Sequence, residues 1–133
     1  MKKIEHIGIA VKNLEDSNEL YSKLLNTAPY KQEEVASEYV STSFFRMGQS
    51  KIELLAPTDE KSAIHKFIEK KGEGFHHIAF AVDDIEKETE RLKSEGFQPL
   101  SDKPKKGADN KLVMFFHPKT TGGLLVELCQ EIA

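Results

Sequence analysis

Two histidines and two glutamates stand at matching places in two similar stretches of the chain. When His77 is aligned with His6, HIAFAV pairs with HIGIAV. Farther along each stretch, Glu127 in VEL pairs with Glu53 in IEL at nearly the same shift. Two imidazoles and two carboxylates suit a borderline divalent cation such as Zn²⁺, Co²⁺, Ni²⁺ or Mn²⁺. The four residues therefore predict a site for one divalent metal ion.

The alternation of side chains along a strand distinguishes His77 from its neighbour His76. Successive side chains of a strand point to opposite faces. The strand EHIGIAV has one bulky β-branched face and one face of small residues, and His6 lies on the second. In the matching strand His77 shares its face with Ala79 and Ala81, whereas His76 falls on the bulky face. We therefore predict that His77 is the ligand.

Each glutamate lies between two aliphatic residues, so it points away from the face that those residues bury. Taken alone, a histidine or glutamate in a strand is more often a core or surface residue than a ligand. Matching positions and matching faces in both halves favour a shared role for all four side chains. Four protein ligands on an octahedral metal leave two adjacent positions for substrate oxygens or water.

The same comparison predicts the secondary structure of the two halves. In the first half, strands are predicted at 4–11, 30–35, 39–47 and 51–56. Asn13 is the predicted cap of the helix that follows the first strand. In the second half, strands are predicted at 75–82, 97–100, 112–116 and 124–129. A helix is predicted at 85–96, with Asp84 as its cap. Each half is therefore βαβββ. We predict an α+β fold in a single domain, with modules at about 1–57 and 74–130 and a linking helix at about 61–72.

Composition narrows the classes of function. A formal charge of −3 over 133 residues gives no reason to expect binding to nucleic acid or to an anionic membrane. Cys129 is the only cysteine, which excludes an intrachain disulfide and a thiolate metal cluster. The N-terminal MKK leads directly into a strand pattern without an apolar signal region. We expect a cytoplasmic protein, and a homodimer because small open-sheet domains often complete their core by pairing.

Four segments of the chain resemble a known family. EHIGIAV, IELLAPT, GEGFHHIAFAVDDI and HPKTTGGLLVEL together resemble the methylmalonyl-CoA epimerases of the glyoxalase/vicinal-oxygen-chelate superfamily. The resemblance covers nearly the whole chain and keeps the order of the segments. It implies curved, mostly antiparallel sheets that form a cleft around the metal, with ligands at His6, Glu53, His77 and Glu127.

The resemblance also implies a reaction and a substrate. The family reaction moves a proton on the carbon between a thioester and a carboxylate of a 2-carboxyacyl-CoA such as methylmalonyl-CoA. Chelation of both oxygens by the cation stabilises the enediolate that forms. We predict Glu127 as a catalytic base. We predict Lys119, Thr120 and Thr121 as substrate contacts, although a polar turn that only reverses the chain explains them equally well.

One segment departs from the family pattern. Known epimerases tend to have a carboxylate on the strand that matches 39–47, but YVSTSFFRM has no acid after Glu38. Glu38, Ser41 and Thr42 are the local substitutes for that group. Two alternative functions therefore remain open: a glyoxalase of the lactoylglutathione lyase type, which isomerises a hemithioacetal, and a metal-free ligand-binding module.

Overall fold

The protein has an α+β fold in which the element pattern βαβββ occurs twice. The structure is a computed structural model that describes all residues, Met1–Ala133. The strands are β1 (Lys3–Ala10), β2 (Lys31–Val35), β3 (Val40–Met47), β4 (Ser50–Pro57), β5 (Gly74–Ala81), β6 (Lys105–Lys106), β7 (Lys111–Phe116) and β8 (Val126–Glu131). The helices are α1 (Leu14–Leu25), α2 (Ala63–Lys71) and α3 (Ile85–Ser94). The predicted α+β class and both βαβββ modules are confirmed.

The chain divides into two compact units. One unit is Ile7–His76, and the other combines Met1–His6 with His77–Ala133. The division falls within β1, so the start of this strand belongs with the second half of the chain. These units differ from the modules predicted at about 1–57 and 74–130, whose bounds stay predictions.

In the unit Ile7–His76 the strand order is β2-β3-β4-β1, and β3 is antiparallel to both β2 and β4. The alternation of side chains gives the strands two apolar faces. One packs against Tyr21 and Leu25 of α1 and contains buried Val11, Phe45, Leu54 and Ala56. The other packs against Ile64 of α2 and contains Ala10, Val40 and Leu55. The side-chain oxygens of Asn13 and Ser62 accept hydrogen bonds from the first turns of α1 and α2.

In the unit of Met1–His6 and His77–Ala133 the strand order is β1-β5-β8-β7-β6. β5 is parallel to β8, and β7 is antiparallel to β8. The larger apolar cluster lies beneath α3, where Ile85 and Leu92 of the helix pack against buried Val82, Met114, Phe116 and Leu128. The opposite face contains Ala79, Val113 and Cys129 beside Phe115. Glu127 lies on this opposite face because it alternates with Leu128.

One predicted strand was wrong. The segment 97–100 makes only an isolated bridge, between Pro99 and Phe116, and the second strand of the second module is the short β6 at Lys105–Lys106. Two hydrogen bonds flank this bridge, from the Leu100 N–H to the Phe115 carbonyl and from the His117 N–H to the Gln98 carbonyl. None of the three helices has both the length and the apolar character that crossing a membrane would require.

Candidate metal centre

Three of the four predicted ligands come together within the unit of Met1–His6 and His77–Ala133. His6 lies on β1, His77 on β5 and Glu127 on β8, and these three strands are neighbours in the sheet order. The register pairs Ala79 with Glu127, and His77 precedes Ala79 by two residues on the same face. The exposed fractions of His6, His77 and Glu127 are only 6%, 2% and 5%, so each polar group depends on its neighbours for partners.

The three side chains place one ligand atom each at the corners of a small triangle. His6 Nε2 lies 3.0 Å from His77 Nε2. Glu127 Oε1 lies 3.0 Å from His77 Nε2 and 3.3 Å from His6 Nε2. Ligand atoms about 2.1 Å from one cation and at right angles to each other would be about 3.0 Å apart. The triangle therefore has the size of three adjacent ligands of a single divalent ion.

Hydrogen bonding alone does not satisfy this triangle. Bonds from both rings to Glu127 require a proton on each Nε2, but then neither nitrogen can accept from the other. If only one Nε2 is protonated, two lone pairs face each other without a proton between them. A cation accepts electron density from all three atoms at once. The donor set fits a borderline divalent metal.

Glu127 is held in the ionised state that a metal ligand requires. Burial by itself would raise the pKa of its carboxyl. The hydrogen bonds to His6 and His77, together with the charges of these rings, outweigh burial and hold the pKa well below its usual range.

The remaining predicted ligand, Glu53, lies in the unit Ile7–His76. It is 4% exposed on β4, opposite Phe44 of β3, on the face away from α1. Its place as a fourth ligand stays a prediction. His76 is in the same unit, and its ring packs edge-on against Phe67 of α2 with centroids 4.8 Å apart. His77, and not His76, is the residue in the triangle.

Two further residues contact the triangle, and both were absent from the predicted site. Cys129 donates a hydrogen bond from its thiol to Glu127 Oε2 over 3.0 Å. The spacing of two residues on one strand indicates this shared face, but not the hydrogen bond. Glu5 Oε1 lies 2.8 Å from His6 Nδ1. Alternation gives no signal for this contact, because it puts adjacent residues on opposite faces.

The three predicted substrate contacts lie in the turn before β8. Lys119 and Thr120 belong to the 3-10 helix Pro118–Thr120, and Lys119 is exposed. The Thr120 hydroxyl donates to the His117 carbonyl over 2.9 Å, and the Thr121 hydroxyl donates to the Leu124 carbonyl. Both hydroxyls therefore stabilise the turn, and a role for the three residues in substrate binding stays a prediction.

The local substitutes for the missing strand acid lie on or just before β3. Glu38 ends the 3-10 helix Ala36–Glu38 and is exposed. The Thr42 side chain is 1% exposed and its hydroxyl donates to the Glu33 carbonyl over 3.0 Å. This hydroxyl is thus engaged by the backbone of β2. No carboxylate lies on β3 itself.

Comparison with known proteins places the chain among the glyoxalases and their relatives. Residues 5–115 match the family model of the Glyoxalase/Bleomycin resistance protein/Dioxygenase superfamily. The Ethylmalonyl-CoA/methylmalonyl-CoA epimerase of Cereibacter sphaeroides is 39% identical over 130 residues, which cover 96% of this chain and 97% of that relative. The uncharacterized protein YqjC of Bacillus subtilis is 38% identical over 130 residues, 98% of this chain and 93% of the relative.

A solved structure shows the same similarity in three dimensions. A variant of the Streptomyces coelicolor methylmalonyl-CoA epimerase in complex with 2-nitronate-propionyl-CoA superposes with a TM-score of 0.95. Its sequence is 32% identical, and the match covers 100% of this chain and 96% of that one. The chain therefore belongs to the Glyoxalase/Bleomycin resistance protein/Dioxygenase superfamily, as one of its methylmalonyl-CoA epimerase-like members.

Proposed function

We propose that the protein is a metal-dependent epimerase of a 2-carboxyacyl-CoA such as methylmalonyl-CoA. The observation that carries this proposal is the buried triangle of His6, His77 and Glu127 in an epimerase-like chain. The Cereibacter sphaeroides relative is named for two substrates of this class, and the Streptomyces coelicolor enzyme was solved with an acyl-CoA ligand. Both support an acyl-CoA as the substrate class.

In this proposal His6, His77 and Glu127 hold one divalent ion, with Glu53 as the fourth ligand. Zn²⁺, Co²⁺, Ni²⁺ and Mn²⁺ all suit two imidazoles and two carboxylates. When bound, the cation supplies positive charge beside the substrate oxygens, which lowers the free energy of removing the neighbouring α-proton. Burial of the triangle strengthens this electrostatic effect because water is largely excluded.

Glu127 is our candidate for the group that accepts the α-proton. The proton leaves the carbon between thioester and carboxylate, and its return from the other side of that carbon inverts the stereocentre. With no acid on β3, Glu127 is the carboxylate that the triangle itself supplies. Proton acceptance requires Glu127 Oε1 to leave its contacts with the two imidazoles. Glu38 and Glu53 are the next candidates.

The turn before β8 completes the proposed site. Lys119 carries an exposed ammonium that suits a substrate carboxylate, and Thr120 and Thr121 follow it in the same turn.

A homodimer and a cytoplasmic location, both expected from the sequence, remain part of the proposal. Analytical ultracentrifugation of the purified chain tests the first of these.

A glyoxalase is the second candidate, and one observation favours it. β3 has the sequence VSTSFFRM and lacks the carboxylate that known epimerases tend to have on this strand. A glyoxalase of the lactoylglutathione lyase type needs the same donor set, so metal binding does not separate the two functions. The substrate that turns over does.

The decisive experiment incubates metal-loaded protein with methylmalonyl-CoA in deuterated water and follows exchange at the α-carbon by NMR. We expect exchange that a chelator abolishes and added metal restores. Conversion of a hemithioacetal without exchange of methylmalonyl-CoA would replace the epimerase by the glyoxalase. A protein that converts neither substrate contradicts both enzymatic assignments and favours a ligand-binding module.

A further inference from the structure

Glu5 directs its carboxylate at the ring of the next residue, His6. Glu5 Oε1 and His6 Nδ1 lie 2.8 Å apart, and the two side chains are each 7% exposed. The other ring nitrogen, His6 Nε2, is the one that belongs to the triangle. The two nitrogens of His6 therefore have separate partners on opposite edges of the ring.

This arrangement has a chemical consequence for His6 as a ligand. A histidine binds a metal through a nitrogen lone pair, so the ring proton must be on the other nitrogen. A carboxylate that accepts the Nδ1–H keeps the proton there and leaves the Nε2 lone pair free. It also fixes the rotation of the ring and raises the basicity of Nε2.

We propose that Glu5 is a positioning residue that selects the Nδ1–H tautomer of His6 and aims His6 Nε2 at the metal. The inference rests on the metal site of the proposed function, but it concerns a residue outside the four predicted ligands. Glu5 acts through His6 and does not touch the substrate. Removal of such an outer partner typically lowers metal affinity by about 10- to 100-fold.

An alternative role for Glu5, as a metal ligand itself, changes the number of metal ions that each chain binds. Glu5, His6 and Cys129 each offer a ligand atom, and these atoms lie within 4.8 Å of one another. An ion at this second place would take His6 Nδ1 and break its hydrogen bond with Glu5. With the triangle also occupied, each chain would hold two metal ions. The positioning role requires one.

The test compares Glu5→Ala and Glu5→Gln with the unaltered protein. Glu5 lines a cavity of about 200 Å³, so these substitutions alter the lining of a cavity that is already present. Gln keeps a side-chain oxygen that can accept the Nδ1–H, whereas Ala removes it. Glu34→Ala is the matched control, because Glu34 is an exposed glutamate on a strand of the other unit. Far-UV circular dichroism checks that every variant is folded.

Two readouts separate positioning from a general structural effect. Calorimetric titration with Zn²⁺ and with Co²⁺ gives the affinity and stoichiometry. NMR of ¹⁵N-histidine-labelled protein, recorded with and without Zn²⁺, detects the His6 Nδ1–H as a slowly exchanging downfield proton. We expect one ion per chain and an affinity about 10- to 100-fold weaker in Glu5→Ala. The downfield proton is lost in Glu5→Ala and retained in Glu5→Gln, whose affinity lies between the other two.

The outcomes distinguish this inference from the proposed function. Tight metal binding by Glu5→Ala, with the Nδ1 proton still protected, overturns the role of Glu5 and leaves the metal site standing. Binding of a second ion that is lost in Glu5→Ala also overturns it. If the unaltered protein binds no metal, the proposed function fails. The metal-free spectra then still decide whether Glu5 holds the His6 proton.

Discussion

The thiol of Cys129 donates a hydrogen bond to Oε2 of Glu127 over 3.0 Å. The two residues are two positions apart on β8, so they share a face, and both are buried. This hydrogen bond engages one carboxylate oxygen and leaves Oε1 as the atom that faces His6 and His77. A small buried residue thus helps to orient a proposed ligand.

We expect Cys129→Ala to weaken metal binding by about 10-fold, because Glu127 loses a donor that orients it. Cys129→Ser keeps a donor on the same atom position and should bind metal more tightly than the alanine variant. Calorimetric titration with Zn²⁺ gives both affinities. Equal losses in the two variants would show that packing of the sulfur, and not its hydrogen bond, is responsible.

His77 and His76 provide a paired test of the metal site. His77→Ala removes a ligand atom. It should therefore weaken metal binding more than the loss of an outer partner does, which lowers affinity by about 10- to 100-fold. His76→Ala removes the edge-on contact with Phe67 and no atom of the triangle. It should leave metal affinity unchanged and lower the free energy of unfolding by about 0.5–1.5 kcal/mol. Titration and denaturant unfolding measure the two effects, and similar metal affinities in both variants would contradict the assignment.

Glu53 is the proposed ligand that lies outside the triangle. Glu53→Ala removes its carboxylate and should lower metal affinity by at least about 10-fold, whereas Glu53→Gln retains an oxygen ligand and should lose much less. Titration with Mn²⁺ and Zn²⁺ checks this order. Unchanged affinity in Glu53→Ala would restrict the centre to His6, His77 and Glu127.

Glu127→Gln separates metal binding from proton transfer. The amide oxygen can still face a cation, but an amide cannot accept the α-proton as a carboxylate does. We expect bound metal together with a rate of α-proton exchange that falls by about 100-fold or more. Metal analysis and deuterium exchange with methylmalonyl-CoA are measured on the same sample. Full exchange would move the base to Glu38 or Glu53.

The core beneath α3 should dominate the stability of its unit. Phe116 is fully buried there, and Phe116→Ala should cost about 3–5 kcal/mol of unfolding free energy. Leu24→Ala on α1 is the control, because Leu24 is 70% exposed and should change stability by less than about 0.5 kcal/mol. Guanidinium unfolding of the metal-free protein, followed by circular dichroism, gives both values. If Phe116→Ala lowered the unfolding free energy by no more than Leu24→Ala does, Phe116 would not be packed in this core.

The two βαβββ modules were predictable because their signals are local and occur twice. Alternation along β5 placed His77 on the face of Ala79 and His76 on the other face. The same period placed Glu127 and Leu128 on different faces of β8. The second strand of the second module was not predictable at its true position. The apolar pattern near 97–100 indicates a strand, but pairing depends on partners that are distant in the chain, and this segment forms only one bridge, between Pro99 and Phe116.

By itself the sequence determined the fold class, the repeat and the faces that carry His6, His77 and Glu127, because strand periodicity depends only on the order of residues. Tertiary structure decided which atoms meet. The pairing of β5 with β8 sets Glu127 against His77, and this contact is nonlocal. The contact of Glu5 with His6 Nδ1 even runs against alternation. A glutamate side chain has enough rotatable bonds to reach around the strand, and only the packing around it selects that rotamer.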